Sequence, residues 1–228
     1  MAGCKIGTNV SMDDFGTYMS YQDFKYYEPK EQRLNKVCFI TSNKKFTRGH
    51  RDRVNFANKI LKNHIDLIDI YGNGYNPIDD KLEVLSKYKY VLAIENGLCM
   101  DYWTEKLADS YLAGCHPIYY GCPNISDYFE QDSMTKVNIR DYNGTINTIK
   151  DIIERDVFST SREAVLTARN QVLDEYNMFN LIANEVSKID SYNYLIEKMS
   201  LPEIIYPMKY NLKDLVLYKL ARLFNIVL

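Results

Sequence analysis

The sequence predicts an α/β protein, a parallel sheet covered on both faces by helices. Three observations carry that prediction. Short apolar runs alternate along the chain with segments of helical periodicity. The runs end in small polar residues, as buried parallel strands do when they empty into loops. The size agrees, because 228 residues with 46% hydrophobic and 25% charged side chains can bury one sizeable core.

Residues 1–34 are polar and irregular and read as an extension. Lys36 to Ile40 is then the first strand, running out into Thr41-Ser42-Asn43. Asp52 to Lys62 carries Val54, Ala57, Ile60 and Leu61 at helical spacing, and Ile65 to Tyr71 is a second strand closed by the turn Gly72-Asn73-Gly74. Ile78 to Ser86 is a short helix, Tyr90 to Asn96 a strand, Thr104 to Ala113 a helix and His116 to Gly121 a strand. Val137-Asn138-Ile139 adds an edge strand, Thr145 to Arg155 an amphipathic helix, and Ser161 to Ser187 one long or broken helix. From Leu212 to Leu228 a stripe of Leu212, Leu215, Val216, Leu220, Leu223, Phe224 and Val227 predicts an amphipathic terminal helix. The division is therefore an extension over 1–34, a ligand-binding domain over 35–190 and a helical tail over 191–228.

Charge excludes one class of partner. Lys and Arg number 28 against 30 Asp and Glu, net −2, so no global positive field draws nucleic acid, and none is expected to bind. Five cysteines, Cys4, Cys38, Cys99, Cys115 and Cys122, form no C-x-x-C pair and read as reduced core thiols. No stretch approaches the ~20 apolar residues of a membrane span, so a cytoplasmic location is expected. The terminal stripe, with Lys213, Lys219 and Arg222 elsewhere on its wheel, suits peripheral contact with the inner face of a membrane as well as it suits packing on the protein. The 20 tyrosines suit clefts and core edges equally. Three Asn-x-Ser/Thr sequences, at Asn9, Asn124 and Asn143, read as coincidence. The histidines His50, His64 and His116 lack H-x-x-x-H spacing, and there is no G-x-S-x-G, P-loop or G-x-G-x-x-G pattern, which weakens metal, serine-hydrolase and dehydrogenase readings.

Ligands of an open parallel sheet bind beyond the carboxyl ends of its strands, so three loops matter most. The first holds Lys44, Lys45, Arg48, His50, Arg51 and Arg53 around a helix start, and reads either as a phosphate site or as a solvated basic face. The second runs Glu95-Asn96-Gly97-Leu98-Cys99-Met100-Asp101-Tyr102-Trp103-Thr104-Glu105-Lys106. Thr104 is its helix N-cap. Lys106 in that first turn opposes the helix dipole and points to a bound anion, Glu105 suits a sugar hydroxyl, and Tyr102 or Trp103 suits stacking. The third, Gly114-Cys115-His116-Pro117 to Gly121-Cys122-Pro123, brackets a strand with glycines that permit close ligand approach, while His116 reads as a packed strand residue.

Lys87 to Asn96, Asp101-Tyr102-Trp103-Thr104-Glu105-Lys106-Leu107 and Ala113 to Gly121 together resemble the donor-binding signature of the α-1,3-fucosyltransferases, glycosyltransferase family ten. The likeness runs from about Lys36 to Asn180 and includes Arg53-Val54-Asn55-Phe56 where that family has a phosphate-binding arginine. It implies the Rossmann-like donor lobe of a two-lobed GT-B fold, with transfer of fucose from GDP-fucose to a glycan hydroxyl, inversion, and no obligatory metal or other cofactor. Carried over, Arg53 and Lys106 would hold the diphosphate, Asn96 and Tyr102 the nucleotide, and Glu105 the ribose or fucose, with Glu95 and Thr104 in support; Glu105, Arg53 and Lys106 are the expected catalytic groups. Only about 35 residues precede the donor lobe, so the acceptor lobe reads as missing or reduced, and with it the carboxylate base. Asp13, Asp14 or Asp23, a partner chain or a homodimer would have to supply it. The alternative is a truncated or split lobe that binds a GDP-sugar without turnover. Gly97 and Cys115-His116 depart from the family's usual Ser and Ala-Val.

Overall fold

The computed structural model describes residues 21–190. Its sheet has five parallel strands, β1 (Leu34–Ile40), β2 (Ile68–Tyr71), β3 (Tyr88–Ile94), β4 (His116–Tyr120) and β5 (Thr135–Lys136), in the order β2-β1-β3-β4-β5. The order reverses direction between β1 and β3, and at that switch point the loops leaving the two strands diverge to opposite faces and open a crevice.

Both faces are covered, as the unbroken apolar runs require. Along β3 the side chains alternate: Tyr90, Leu92 and Ile94 join one apolar cluster, Val91 and Ala93 the other. The first cluster is closed by α2 (Arg48–Asn63), α5 (Tyr142–Glu154) and α6 (Val157–Thr160), through residues such as Phe56, Ile60, Ile149 and Phe158. The second is closed by α1 (Tyr21–Tyr26), α3 (Lys81–Leu85), α4 (Glu105–Leu112) and α7 (Arg162–Asp174), through Phe24, Leu85, Leu107, Tyr111 and Val172.

Several bounds differ from expectation, each for a local reason. Helix α2 begins four residues early because Thr47, in extended backbone, accepts from the His50 N–H at 3.3 Å. Strand β2 starts late: the Leu67 and Ile68 N–H groups turn back to the His64 carbonyl, which leaves Ile65 exposed. The last strand lies at Thr135–Lys136 rather than at residues 137–139, where Ile139 is buried against the sheet without pairing in it. Of the two forms expected over 161–187, one long or one broken helix, the structure has the broken one: α7 ends at Asp174 and α8 (Met178–Asp190) starts afresh.

Residues 21–33, part of the expected extension, are mostly exposed but tied to the core. Phe24 is buried in the second cluster. Arg169 of α7 donates to the Phe24 and Tyr27 carbonyls, Arg162 to Pro29, and Arg33 to Tyr88 at 3.1 Å and Ala113 at 2.7 Å. Arginine forks thus satisfy the carbonyls of a segment that has little regular structure.

The chain separates into two compact units, Met1–Asn184 and Glu185–Leu228. Of the second, only residues 185–190, the end of α8, are described, so the expected amphipathic helix over 212–228 lies outside the described residues. No helix among the described residues is long and apolar enough to cross a membrane. Cys38, Cys115 and Cys122 are buried thiols, whereas Cys99 is exposed and corrects the reading of it as a core residue; Cys4 lies outside the described residues.

Candidate functional site

A cleft of about 400 Å³ opens at the carboxyl end of the sheet. The start of α2 forms one wall, with Thr47, Arg48, Gly49 and Asp52. The loop after β3, from Glu95 to Cys99 and on to Tyr102, forms the other, while Tyr120 of β4 and Arg140, from the loop after β5, close it. Gly49 fixes the width. A Cβ there would come within 1.8 Å of the Asn96 carbonyl oxygen, so only glycine lets α2 approach the end of β3 so closely.

Glu95 anchors the second wall. Its side chain is fully buried, and its two carboxylate oxygens accept from the Thr104 N–H at 2.8 Å and the Thr104 hydroxyl at 2.7 Å. Burial pushes the Glu95 carboxyl up, against the pull of Lys106 and Thr104. Thr104 in turn caps α4, so the last residue of the strand region sets the first turn of the following helix.

The expected site residues fall into three places. Glu95, Asn96 and Tyr102 line the cleft. Arg53 lies behind it, 5% exposed, and reaches it by donating to Asn96 Oδ1 at 2.5 Å. Its Nε is buried and meets no partner. Burial pulls the guanidinium below its ordinary value, opposed by the nearby Glu95. Thr104, Glu105 and Lys106 sit beyond Glu95 and join the cleft through it.

Lys106 departs from the reading that a bound anion must explain it. Its ammonium lies 2.8 Å from Glu105 Oε1, 3.1 Å from Thr104 Oγ1 and 3.7 Å from Glu95 Oε2, so two carboxylates of the chain already balance its charge. Burial pushes Glu105 up, but the hydrogen bond and charge of Lys106 outweigh it and leave the carboxyl below its ordinary value. Arg53 differs in that its hydrogen-bond partner is a neutral amide, with Glu95 and Glu105 acting on it through charge alone. His50, at the start of α2, is lowered first by burial and further by the charges of Arg53, Lys106 and Lys44.

The basic loop resolves residue by residue. Lys44, Lys45 and Arg51 are exposed, while Arg48 and Arg53 belong to the site. Trp103, offered as a stacking residue, is packed among Tyr128, Phe129 and Tyr176 with ring centroids 5.1 to 6.0 Å away, and Tyr102 alone of the two lines the cleft. The bracketing glycines do not serve a ligand: Gly114, at φ +69°, makes room for Pro29 at the opposite end of β4, and Gly121 makes room for Tyr119 and Glu95. His116 is buried, as expected, between Ser161 and Thr135, 2.8 Å from each hydroxyl. Of the candidate bases, Asp23 lies on α1, which adds no residue to the cleft, and Asp13 and Asp14 lie outside the described residues. Asp52 and Arg140, paired at 3.2 Å across two elements, were not anticipated, because nothing in their local sequence marks them before the strand order is known.

Fold and cleft define a parallel α/β protein with an open crevice at its switch point, lined by Arg48 and Arg140 as well as by Asp52 and Glu95. Residues 30–158 match the model of glycosyltransferase family 10 (fucosyltransferase) C-term, and the chain belongs to that family. It is 30% identical over 129 residues to α-(1,3)-fucosyltransferase B of Drosophila melanogaster, covering 54% of this chain and 28% of the relative. To the human 4-galactosyl-N-acetylglucosaminide 3-α-L-fucosyltransferase 9 it is 31% identical over 143 residues, 60% of this chain and 37% of the relative. A crystal structure of an α1,3-fucosyltransferase aligns over 58% of this chain and 38% of its own, at 27% identity and a TM-score of 0.46. The chain thus matches about a third of the length of these relatives.

Proposed function

We propose that the cleft binds GDP-fucose and that this chain is the donor-binding lobe of a GT-B fucosyltransferase, transferring fucose to a glycan hydroxyl with inversion and without an obligatory metal. The observation that carries the reading is Arg53: a buried guanidinium with an unpartnered Nε, one hydrogen bond from the cleft, in a member of a fucosyltransferase family. In this reading Arg53 and the open N–H groups at the start of α2 take the diphosphate, and their fixed positive charge stabilises the leaving GDP as the glycosidic bond breaks. Lys106 joins by exchanging a carboxylate for a phosphate oxygen. Asn96 and Tyr102 contact the nucleotide, and Glu105 faces the ribose or the fucose, where a carboxylate favours oxocarbenium character.

One observation favours a second reading, a lobe that binds the donor without turnover by itself. An inverting transfer needs a group to take the acceptor proton. Among the described residues the carboxylates about the cleft are engaged, Glu95 with Thr104, Glu105 with Lys106 and Asp52 with Arg140. A base from another segment, a partner chain or a second copy completes the site in that case.

Calorimetric titration with GDP-fucose, with GDP-mannose and a UDP-sugar as controls, tests the donor. Saturable binding selective for GDP-fucose is expected; equal binding of the UDP-sugar would overturn the reading. GDP release on adding a galactose or N-acetylglucosamine acceptor separates the enzyme from the lobe that only binds.

A further inference from the structure

Tyr102 stands 38% exposed at the edge of the cleft, and its two chain neighbours are what fix it. On one side Trp103 is wedged into the nest of Tyr128, Phe129 and Tyr176. On the other, Asp101 adopts left-handed backbone at φ 59°, one of two non-glycine residues that do so among the described residues. That conformation is disfavoured for most side chains, and Asp and Asn tolerate it best.

Asp101 is held there by a reciprocal clamp. Its N–H donates to Asn124 Oδ1 at 2.9 Å, and its Oδ1 accepts from Asn124 Nδ2 at 2.7 Å and from the Tyr128 hydroxyl at 2.7 Å. Asn124 is saturated by the arrangement, because its Oδ1 also accepts from the Cys122 thiol and its Nδ2 also donates to Asp127 at 3.0 Å. The clamp therefore ties the loop after β3 to the loop after β4, and the only residue between its two fixed points is Tyr102. A strained residue over-determined by its surroundings beside a ligand cleft is how a site stores pre-organisation.

We propose that Asp101 and Asn124 are positioning residues that hold the Tyr102 ring in place as a stacking platform for the nucleotide. The proposal rests on the reading of the cleft as a GDP-sugar site. The clamp meets the ordering cost of Tyr102 during folding, so the donor does not meet it on binding.

The test uses the full chain and measures the Kd for GDP and GDP-fucose by calorimetry, with the melting temperature beside it. Asp101→Ala and Asn124→Ala should each weaken binding about three- to tenfold, the cost of immobilising one rotamer-rich side chain. Asp101→Asn, which keeps both the backbone preference and an acceptor, should bind within about twofold of the parent. Asp101→Gly keeps the backbone but loses the side-chain bonds, and should fall between. The decisive arm is Tyr102→Ala: in that background Asp101→Ala should cost nothing further, because its effect runs through the missing ring. Unchanged affinity in a folded Asp101→Ala, or an undiminished penalty without Tyr102, would overturn the clamp. A parent chain that binds neither nucleotide would overturn the reading of the cleft and the clamp with it.

Discussion

At the scale of single residues the two cations of the expected site separate. Arg53→Ala should weaken GDP binding by about 1.5 to 3 kcal/mol, the range for hydrogen bonds to charged groups. Lys106→Ala should cost less, because Lys106 gives up two carboxylate neighbours to reach a phosphate, whereas Arg53 gives up one amide oxygen. Calorimetry on both variants checks the order, and a larger loss from Lys106 would reverse the assignment. The motif made Lys106 legible as a charged residue in a first turn, but its partners were not: Glu95 is eleven positions upstream and meets it only once the strand has delivered it. Asp109 went unread altogether, being one acidic residue on a helix. It is 3% exposed, 2.9 Å from Lys81, with one oxygen unpaired beside a void of about 40 Å³ that Lys106 also lines. Burial pushes its carboxyl from 3.8 to about 6, against Lys81. Since the folded value is raised, its stabilising contribution is complete below about pH 3.8 and is lost as pH rises through about 6. Melting curves from pH 4 to 7 should therefore show the difference between Asp109→Asn and the parent moving in favour of the variant as pH rises, and a constant difference would count against it.

At the scale of elements, the strands with long apolar runs were legible because burial on both faces leaves no polar alternation to confuse with a helix. The short pieces were not. Ile139 is apolar because it is buried and Val137 because it is half-buried against the same cluster, while the strand itself falls on Thr135–Lys136. Helix α1 has six residues, too few for a periodic signal, and is held by Arg169 and Asp174 of α7, through Phe24 and Lys25, which no local pattern announces. His116 joins the start of β4 to β5 and to the α6–α7 junction through Thr135 and Ser161. Burial lowers it from 6.5 to about 4, so its contribution is present above about pH 6.5 and is lost as pH falls through about 4. His116→Gln should flatten the acid limb of the melting profile across that window, opposite in sign to Asp109. Gly49→Ala tests the contact between α2 and β3. Its Cβ would overlap the Asn96 carbonyl, so both melting temperature and GDP affinity should fall together; a variant with parental affinity would show that the cleft is wider than the contact implies.

At the scale of the molecule, a ligand that binds only the folded chain stabilises it by mass action. GDP at about 100 times its Kd should add about 2.7 kcal/mol and raise the melting temperature, a UDP-sugar should not, and equal shifts would remove the specificity. The family and the parallel sheet were legible here because motif order and strand alternation are both properties of the chain taken in sequence. The closing side of the cleft was not, since Asp52 and Arg140 meet only after the sheet has set its order. That order carries one more implication. Among the described residues the sheet ends on one side in a four-residue strand and on the other in one of two residues, short edges that offer a further strand few backbone groups to pair with. The cleft itself lies on the loops above the strands, so another lobe or a second copy that completes this site would meet it there, by side-chain complementarity.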